Sequence, residues 1–434
     1  MKFTYTCLCL LLIVLTSCSK DEVNTEEMKA EVKTRTTLAY IVADNNLNSY
    51  AQEDVDEMIA GYAQVTDTEN NNLLIYIDDY STPRLLHVKN DGTQVVVDTL
   101  YNYEEQNSLN IAVMSGVINS ALGDFEADDY GLIFWSHANG WLPGSVQDEP
   151  TSKAFGEDVN NDVFASDGVQ MDILDLKTAL EATPHFNYIL FDACDMQSIE
   201  VAYELRYVAD NFISSPSEIP TIGGYYNEIV PALFSKDDTA NTIAQAYFNF
   251  YKSNYALVDN EDSNSSSLYD QGISISVIAS KYLEDLAYAT NTIITQNIAK
   301  DAGVATNTIY SYDNNYYNFY YDLDSFIKTI SSNNQYQIWS KAYNKVVTSY
   351  LTTDYVYSAY ADDGYGGMYK TAGTTGVTTY IPGNTNFLEA SYWQDYLKEH
   401  PSEKGTMSRY QTNYNNYYSN YDWYIASGWA NTGF

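Results

Sequence analysis

Four short apolar runs constrain the fold of this chain more than any other feature: Thr37–Ala43, Asn72–Asp78, Tyr130–Trp135 and Asn187–Asp192. Each is a continuous stretch rich in β-branched and aromatic residues and bounded by turn chemistry, the pattern of a strand buried on both faces. Segments with helical spacing lie between them. Asp44–Asn48 supplies an N-cap for a helix to about Gly61, and further helices are expected over Ser108–Ala121, Met171–Ala182 and Ser198–Val208. Asn211–Ser214 reads as a fifth strand. Arg84–Val88 and Gln94–Asp98 read as a hairpin across Asn90-Asp91-Gly92. Strands alternating with helices predict an α/β fold with a mostly parallel central sheet flanked by helices. In such a sheet the ligand site lies beyond the carboxyl ends of the strands. His137 and Cys194 each sit just past such an end, so topology alone assigns them to one rim.

Past about Ala240 the pattern loosens. Helices are expected at Asn241–Tyr251, Lys281–Asn297 and Gln335–Tyr350, and strands at Gly272–Ile278 and Gly376–Ile381. More than half of the 43 tyrosines lie beyond residue 300. Tyr-rich surfaces suit polypeptide or sugar binding, although such an excess also serves a wet core and rim. The domain reading is a core over 36–265 and a Tyr-rich C-terminal region over 266–434 that completes or flanks it.

The N-terminus stands apart from this fold. Lys2, the apolar run Leu8–Leu15 and the sequence Leu15-Thr-Ser-Cys18 have the grammar of a secretory signal over residues 1–17. They resemble a bacterial lipobox, which implies cleavage before Cys18 and its lipidation. Residues 18–35 are polar and read as a flexible tether. The expected location is the cell envelope, as an outer-membrane lipoprotein exposed at the surface, with membrane contact through the lipid only. A net charge of −37 excludes nucleic acid as a natural partner and favours basic ones. The expected state is a monomer.

Cysteine usage then becomes informative. Of Cys7, Cys9, Cys18 and Cys194, two leave with the signal and one is lipidated. Cys194 remains as the one thiol of the mature chain, either a small buried residue or a reactive group. A neighbouring imidazole would make it a nucleophile for acyl transfer. Among His87, His137, His185 and His400, only His137 is delivered by a strand end to the same rim.

Two stretches carry a family resemblance. Trp135-Ser-His-Ala-Asn-Gly-Trp141 resembles the His motif of the clostripain peptidases, and Tyr188-Ile-Leu-Phe-Asp-Ala-Cys-Asp-Met-Gln-Ser-Ile-Glu-Val-Ala-Tyr203 resembles their Cys motif. Ala39–Leu47, Ser214–Pro220 and Gly223–Tyr226 are similar to further family segments. The likeness covers roughly residues 36–235. It implies a caspase-like sandwich and a His–Cys dyad, with His137 as general acid–base and Cys194 as nucleophile. Backbone N–H groups of Cys194 and Ala138 would hold the oxyanion. The family has Asp-His-Gly where this chain has Ser136-His137-Ala138, and the Cβ of alanine narrows the backbone angles open to glycine.

The resemblance further implies cleavage after Arg or Lys. Asp192 matches the family's specificity position, where a carboxylate pairs with a guanidinium; the plainer alternative is that it caps the turn or the following helix. Glu218 is a second pocket candidate, and Lys153 a candidate site for self-cleavage between the two motifs. The chemistry needs no cofactor. Calcium supports some members of the family, and acidic loops such as Asp158–Asp162 offer ligands without EF-hand spacing. The expected function is thus a lipid-anchored cysteine endopeptidase acting on polypeptides. The alternative is a peptidase-like surface lipoprotein with little turnover that binds polypeptide or glycan.

Overall fold

The structure, a computed structural model, describes residues 34–144, 154–162, 165, 168–254, 272–313, 318–358, 367–383 and 391–434. Its strands in chain order begin with β1 (Arg35–Val42), β2 (Asn71–Asp78), β3 (Arg84–Asn90), β4 (Val95–Asn102) and β5 (Asp129–Trp135). A short antiparallel pair, β6 (Phe155–Asp158) and β7 (Val169–Met171), precedes β8 (Tyr188–Asp192), β9 (Asn211–Ser214) and β10 (Ser274–Ala279). Then come β11 (Tyr321–Asp322) and β12 (Val347–Thr352).

Nine of these form one sheet in the order β12-β10-β9-β8-β5-β1-β2-β3-β4. Its centre, β9-β8-β5-β1-β2, is parallel throughout. The outer strands on both sides, β3 with β4 and β10 with β12, pair antiparallel. The hairpin of β3 and β4 matches the Asn90-Asp91-Gly92 turn, with Gly92 at φ 95°.

Side chains of β1 and of Ala43, which follows it, divide the core into two. Leu38, Tyr40 and Val42 face one layer, while Ala39, Ile41 and Ala43 face the other. On the second side pack α1 (Asn48–Tyr62) and, later in the chain, residues Tyr226–Leu233 and Thr239–Asn254. The first side is covered by α2 (Ile111–Asp124), α3 (Ile173–Glu181), α4 (Ile199–Glu204) and most of the C-terminal helices. We label the two late helices of the other side α5 (Tyr226–Leu233) and α6 (Thr239–Asn254).

Several elements differ from expectation. The helix after Cys194 is only Ile199–Glu204, because a turn from Leu205 hands the chain to β9. Residues 347–352 form edge strand β12 rather than the end of a helix, since β10 offers them a free edge. The strand expected at Gly376–Ile381 shrinks to Thr378–Thr379, paired with β11. No helix among the described residues is long and apolar enough to cross a membrane.

Candidate active site

β5 and β8 are adjacent and parallel, and their last paired residues are Trp135 and Asp192. His137 and Cys194 each follow two residues later, so the two strands deliver them at the same level of the carboxyl rim. The turn after each strand is fixed by backbone geometry. Asp195 takes φ 59°, a left-handed conformation unusual for a side chain with a Cβ, and its N–H donates to Ser217. Gly140, at φ 55°, lies against this turn. A Cβ there would stand 2.5 Å from the Asp195 carbonyl, so the Gly of the His segment is required by the turn of the Cys segment.

His137 is held from both sides. Gly156 donates its N–H to the His137 carbonyl (2.8 Å), Asn139 donates to Ala154 (2.9 Å), and Ala138 bridges Phe155. The imidazole Nε2 lies 2.6 Å from Asn46 Oδ1. With the amide oxygen accepting, Nε2 carries the proton and Nδ1 is the basic nitrogen. Asn46 was not singled out from sequence. Ala138 is buried and its φ is not positive, so its Cβ strains nothing in this conformation.

The Cys194 thiol lies beneath the segment that ends at Ile219. The Ile219 N–H donates to Sγ at 3.3 Å, and the Ile219 carbonyl lies 3.9 Å away. Burial pushes the thiol pKa well up, and the charges of Asp195 and Glu218 add to this. Glu218 accepts a hydrogen bond from Ser358 (2.8 Å) and stands one residue before Ile219.

Asp192, the last residue of β8, is 4% exposed. It accepts from the Gly224 N–H and from the hydroxyls of Tyr226 and Tyr247, all at 2.8 Å. Asp54 of α1 stands beside it, gripped by the Trp135 indole at 2.6 Å. Both carboxylates crowd Gly223: a Cβ there would lie 3.0 Å from Asp192 Oδ2 and from Asp54 Oδ2, and φ is 59°. Burial pushes the Asp54 pKa well up, with Asp192 adding to it. Outside this pair opens a cleft of about 320 Å³, lined by Tyr50, Glu53, Asp54, Glu57, Ile222, Tyr225, Phe250 and Asn254. It is acidic along α1 and aromatic along the stacked Tyr225 and Phe250.

A second acidic group lies on the rim at the ends of β1 and β2. Carboxylate oxygens of Asp44, Glu105 and Asp158 fall within 4.8 Å of one another. Asp158 binds the Ser108 N–H, and the Ser108 hydroxyl binds Asp78. Burial pushes Asp44 up to about 6 and Asp78 up to about 8. Asp158 belongs to the loop expected to offer calcium ligands, whereas Asp44, Asp78 and Glu105 come from elsewhere. Their signal in the sequence was position: Asp44 and Asp78 each close an apolar run. Cys18 and Lys153 lie outside the described residues.

Comparison with known proteins identifies the family of the chain. The profile of the clostripain family matches residues 39–432. Clostripain of Hathewaya histolytica is 24% identical over 249 residues, 51% of this chain and 46% of that protein, so the chain spans about half the length of this curated relative. The X-ray structure of a secreted C11 cysteine protease from Bacteroides thetaiotaomicron, in complex with an irreversible peptide inhibitor, is 35% identical. It superposes with a TM-score of 0.74 over 92% of this chain and 99% of its own. An inactive zymogen C11 protease from Parabacteroides distasonis is 26% identical, with a TM-score of 0.67 over 92% and 99% of the two chains. Matched along nearly its whole length, the chain belongs to the clostripain family of cysteine peptidases.

Proposed function

We propose that this chain is a cysteine endopeptidase of the cell envelope that cleaves polypeptides after Arg or Lys. The observation that carries the reading is the shared register of His137 and Cys194 at the ends of two adjacent parallel strands. Cys194 Sγ attacks the scissile carbonyl and forms the C–S bond of an acyl-enzyme. Backbone N–H groups of Cys194 and Ala138 hold the developing oxyanion. His137 takes the thiol proton on Nδ1 and passes it to the leaving amine, then draws a proton from the water that releases the acyl group. Asn46 holds the ring from Nε2. No cofactor is needed for these steps.

Basic selectivity finds support in the acidic cleft along α1. Glu53, Asp54 and Glu57 line it, and Asp192 lies behind Asp54. A guanidinium entering there replaces the proton that two crowded carboxylates otherwise need, and binds in bidentate fashion. Glu218 is a further candidate on the Cys194 side. We read Lys153, between the His and Cys segments, as the point of self-cleavage. Cys18 carries the lipid that tethers a monomer to the outer membrane through residues 18–35.

One observation favours a second reading, a surface lipoprotein of little turnover that binds polypeptide or glycan. The thiol sits under Ile219 with its pKa raised rather than lowered, the reverse of an armed cysteine. One experiment separates the two. The chain from residue 36 onward is incubated with fluorogenic Arg, Lys, Asp and Ala substrates, with and without thiol. Turnover of Arg and Lys substrates, lost in Cys194→Ala and His137→Ala, is expected. No turnover of any substrate, together with no labelling of Cys194 by iodoacetamide or an Arg chloromethylketone, sinks the enzyme reading.

A further inference from the structure

Asp192 is fully occupied within the protein. Its Oδ2 accepts from the Gly224 N–H and the Tyr226 hydroxyl, and its Oδ1 from the Tyr247 hydroxyl. Asp54 differs. Its Oδ2 accepts from the Trp135 indole, while Oδ1 accepts no hydrogen bond. Asp54 is only 3% exposed, yet it lines the cleft of about 320 Å³ along α1, which leaves Oδ1 as the polar atom it offers there. A carboxylate oxygen buried this far is destabilising unless something meets it. Three further carboxylates surround the same space. Glu53 and Glu57 line it from α1, one turn apart, and Asp192 stands behind Asp54 across Gly223. Like charges one turn apart weaken a helix. Among the described residues no Lys, Arg or His pairs with any of the four.

Tyr225 and Phe250 also line the cleft, stacked with 4.5 Å between ring centroids and 20° between planes. A planar guanidinium stacks on such a ring and still presents its fork to a carboxylate, whereas an ammonium is a point charge without that fork. We propose that Asp54, rather than Asp192, contacts the cationic side chain of the substrate, and that the Tyr225–Phe250 stack selects guanidinium over ammonium. The substrate is taken from the peptidase reading; the cation site itself does not depend on it. Burial, with the charge of Asp192 added, favours the protonated form of Asp54, so cation binding is linked to proton release. The titratable groups around Asp54 are Glu53 and Glu57 of its own helix, Asp192 of β8, and the hydroxyls of Tyr226 (α5) and Tyr247 (α6) that hold Asp192.

Calorimetry with butylguanidinium and butylammonium tests the site on the chain beyond Cys18 carrying Cys194→Ala, which turns nothing over. Butylguanidinium should bind roughly 3–30-fold more tightly than butylammonium, the difference a stacked cation makes. Its heat should vary with the ionisation enthalpy of the buffer, because a proton leaves Asp54, and its affinity should rise with pH. Asp54→Asn keeps an acceptor for the Trp135 indole. It should weaken butylguanidinium binding roughly 10–100-fold and erase the buffer dependence. Phe250→Leu, at a half-buried position, should bring butylguanidinium down to the level of butylammonium and leave the proton release in place. No saturable binding of butylguanidinium overturns the site. Binding unchanged in Asp54→Asn overturns the assignment and returns the contact to Asp192. Equal affinity for the two cations before any change at Phe250 overturns the selection by stacking. With Cys194 intact, Asp54→Asn should raise KM for Arg substrates by a factor similar to its loss of butylguanidinium affinity. Arg substrates cleaved with unchanged KM in that variant refute the role of Asp54 and leave the peptidase reading standing. Butylguanidinium bound through Asp54 in a chain that cleaves nothing refutes the peptidase reading and leaves the cation site standing.

Discussion

At the scale of single residues, Asn46 is the position where chemistry and structure separate most cleanly. It is exposed, so its removal opens no cavity, yet its amide oxygen fixes which imidazole nitrogen of His137 carries the proton. Asn46→Ala should lower kcat about 10–100-fold, part of the roughly 10²–10⁴-fold that a positioned acid–base contributes, and leave KM nearly unchanged. Asn46→Asp keeps an acceptor in place and should restore much of the rate. Its carboxylate favours the imidazolium, so the acid limb of the pH–rate profile should move upward. Equal losses in both variants with no shift of that limb would mean that Asn46 does not orient the ring. His137 and Cys194 were legible because counting left one thiol and strand ends left one histidine. Asn46 was not legible: it lies 91 positions from His137, and nothing local to an Asp-Asn-Asn turn announces a distant ring.

At the scale of elements, the central strands were readable because burial on both faces writes continuous apolar runs. The C-terminal helices were not, because their core faces are written in tyrosine. Over Lys404–Tyr418 the buried positions are Met407, Gln411, Tyr414 and Tyr418, a helical spacing hidden by Asn and Tyr neighbours. The contact between α4 and these late elements runs through Glu200. Its Oε1 accepts from the Tyr380 N–H (3.0 Å), Thr379 (2.9 Å) and Tyr418 (3.2 Å), while Oε2 is buried without a partner. Burial pushes its pKa up to about 7 from the usual 4.5. The folded state therefore binds this proton more tightly than the unfolded chain. Its contribution to stability is full below pH 4.5 and is lost as pH rises through about 7. Glu200→Gln keeps an acceptor and removes the charge. It should unfold at a higher temperature than the unaltered chain at pH 8, by at most about 3 kcal/mol of stability, and show no advantage at pH 4.5. A difference that does not vary with pH would show that Glu200 is not titrating in the fold.

At the scale of the whole molecule, the region over 266–434 completes or flanks the core over 36–265, and the packing favours the first of these. Strands β10 and β12 continue the sheet past β9. On the α2 side the core includes Ile293, Ile294, Phe326, Trp339, Tyr418, Trp423 and Trp429, each at most 2% exposed. Trp141 of the His segment is itself ringed by Phe319, Tyr380, Tyr418 and Tyr421. Each large side chain contributes about 1.5–3 kcal/mol by burial, so losing this set removes more than the 5–15 kcal/mol that holds a typical domain together. A chain of residues 34–265 should therefore show no cooperative thermal transition and should bind a dye for exposed apolar surface. Adding residues 266–434 as a separate chain should restore near-ultraviolet circular dichroism, because the interface they lose is the core itself. A cooperative transition in the shorter chain alone would show instead that the parallel sheet with α1, α5 and α6 is a self-sufficient unit, and that the tyrosine-rich region only lies against it.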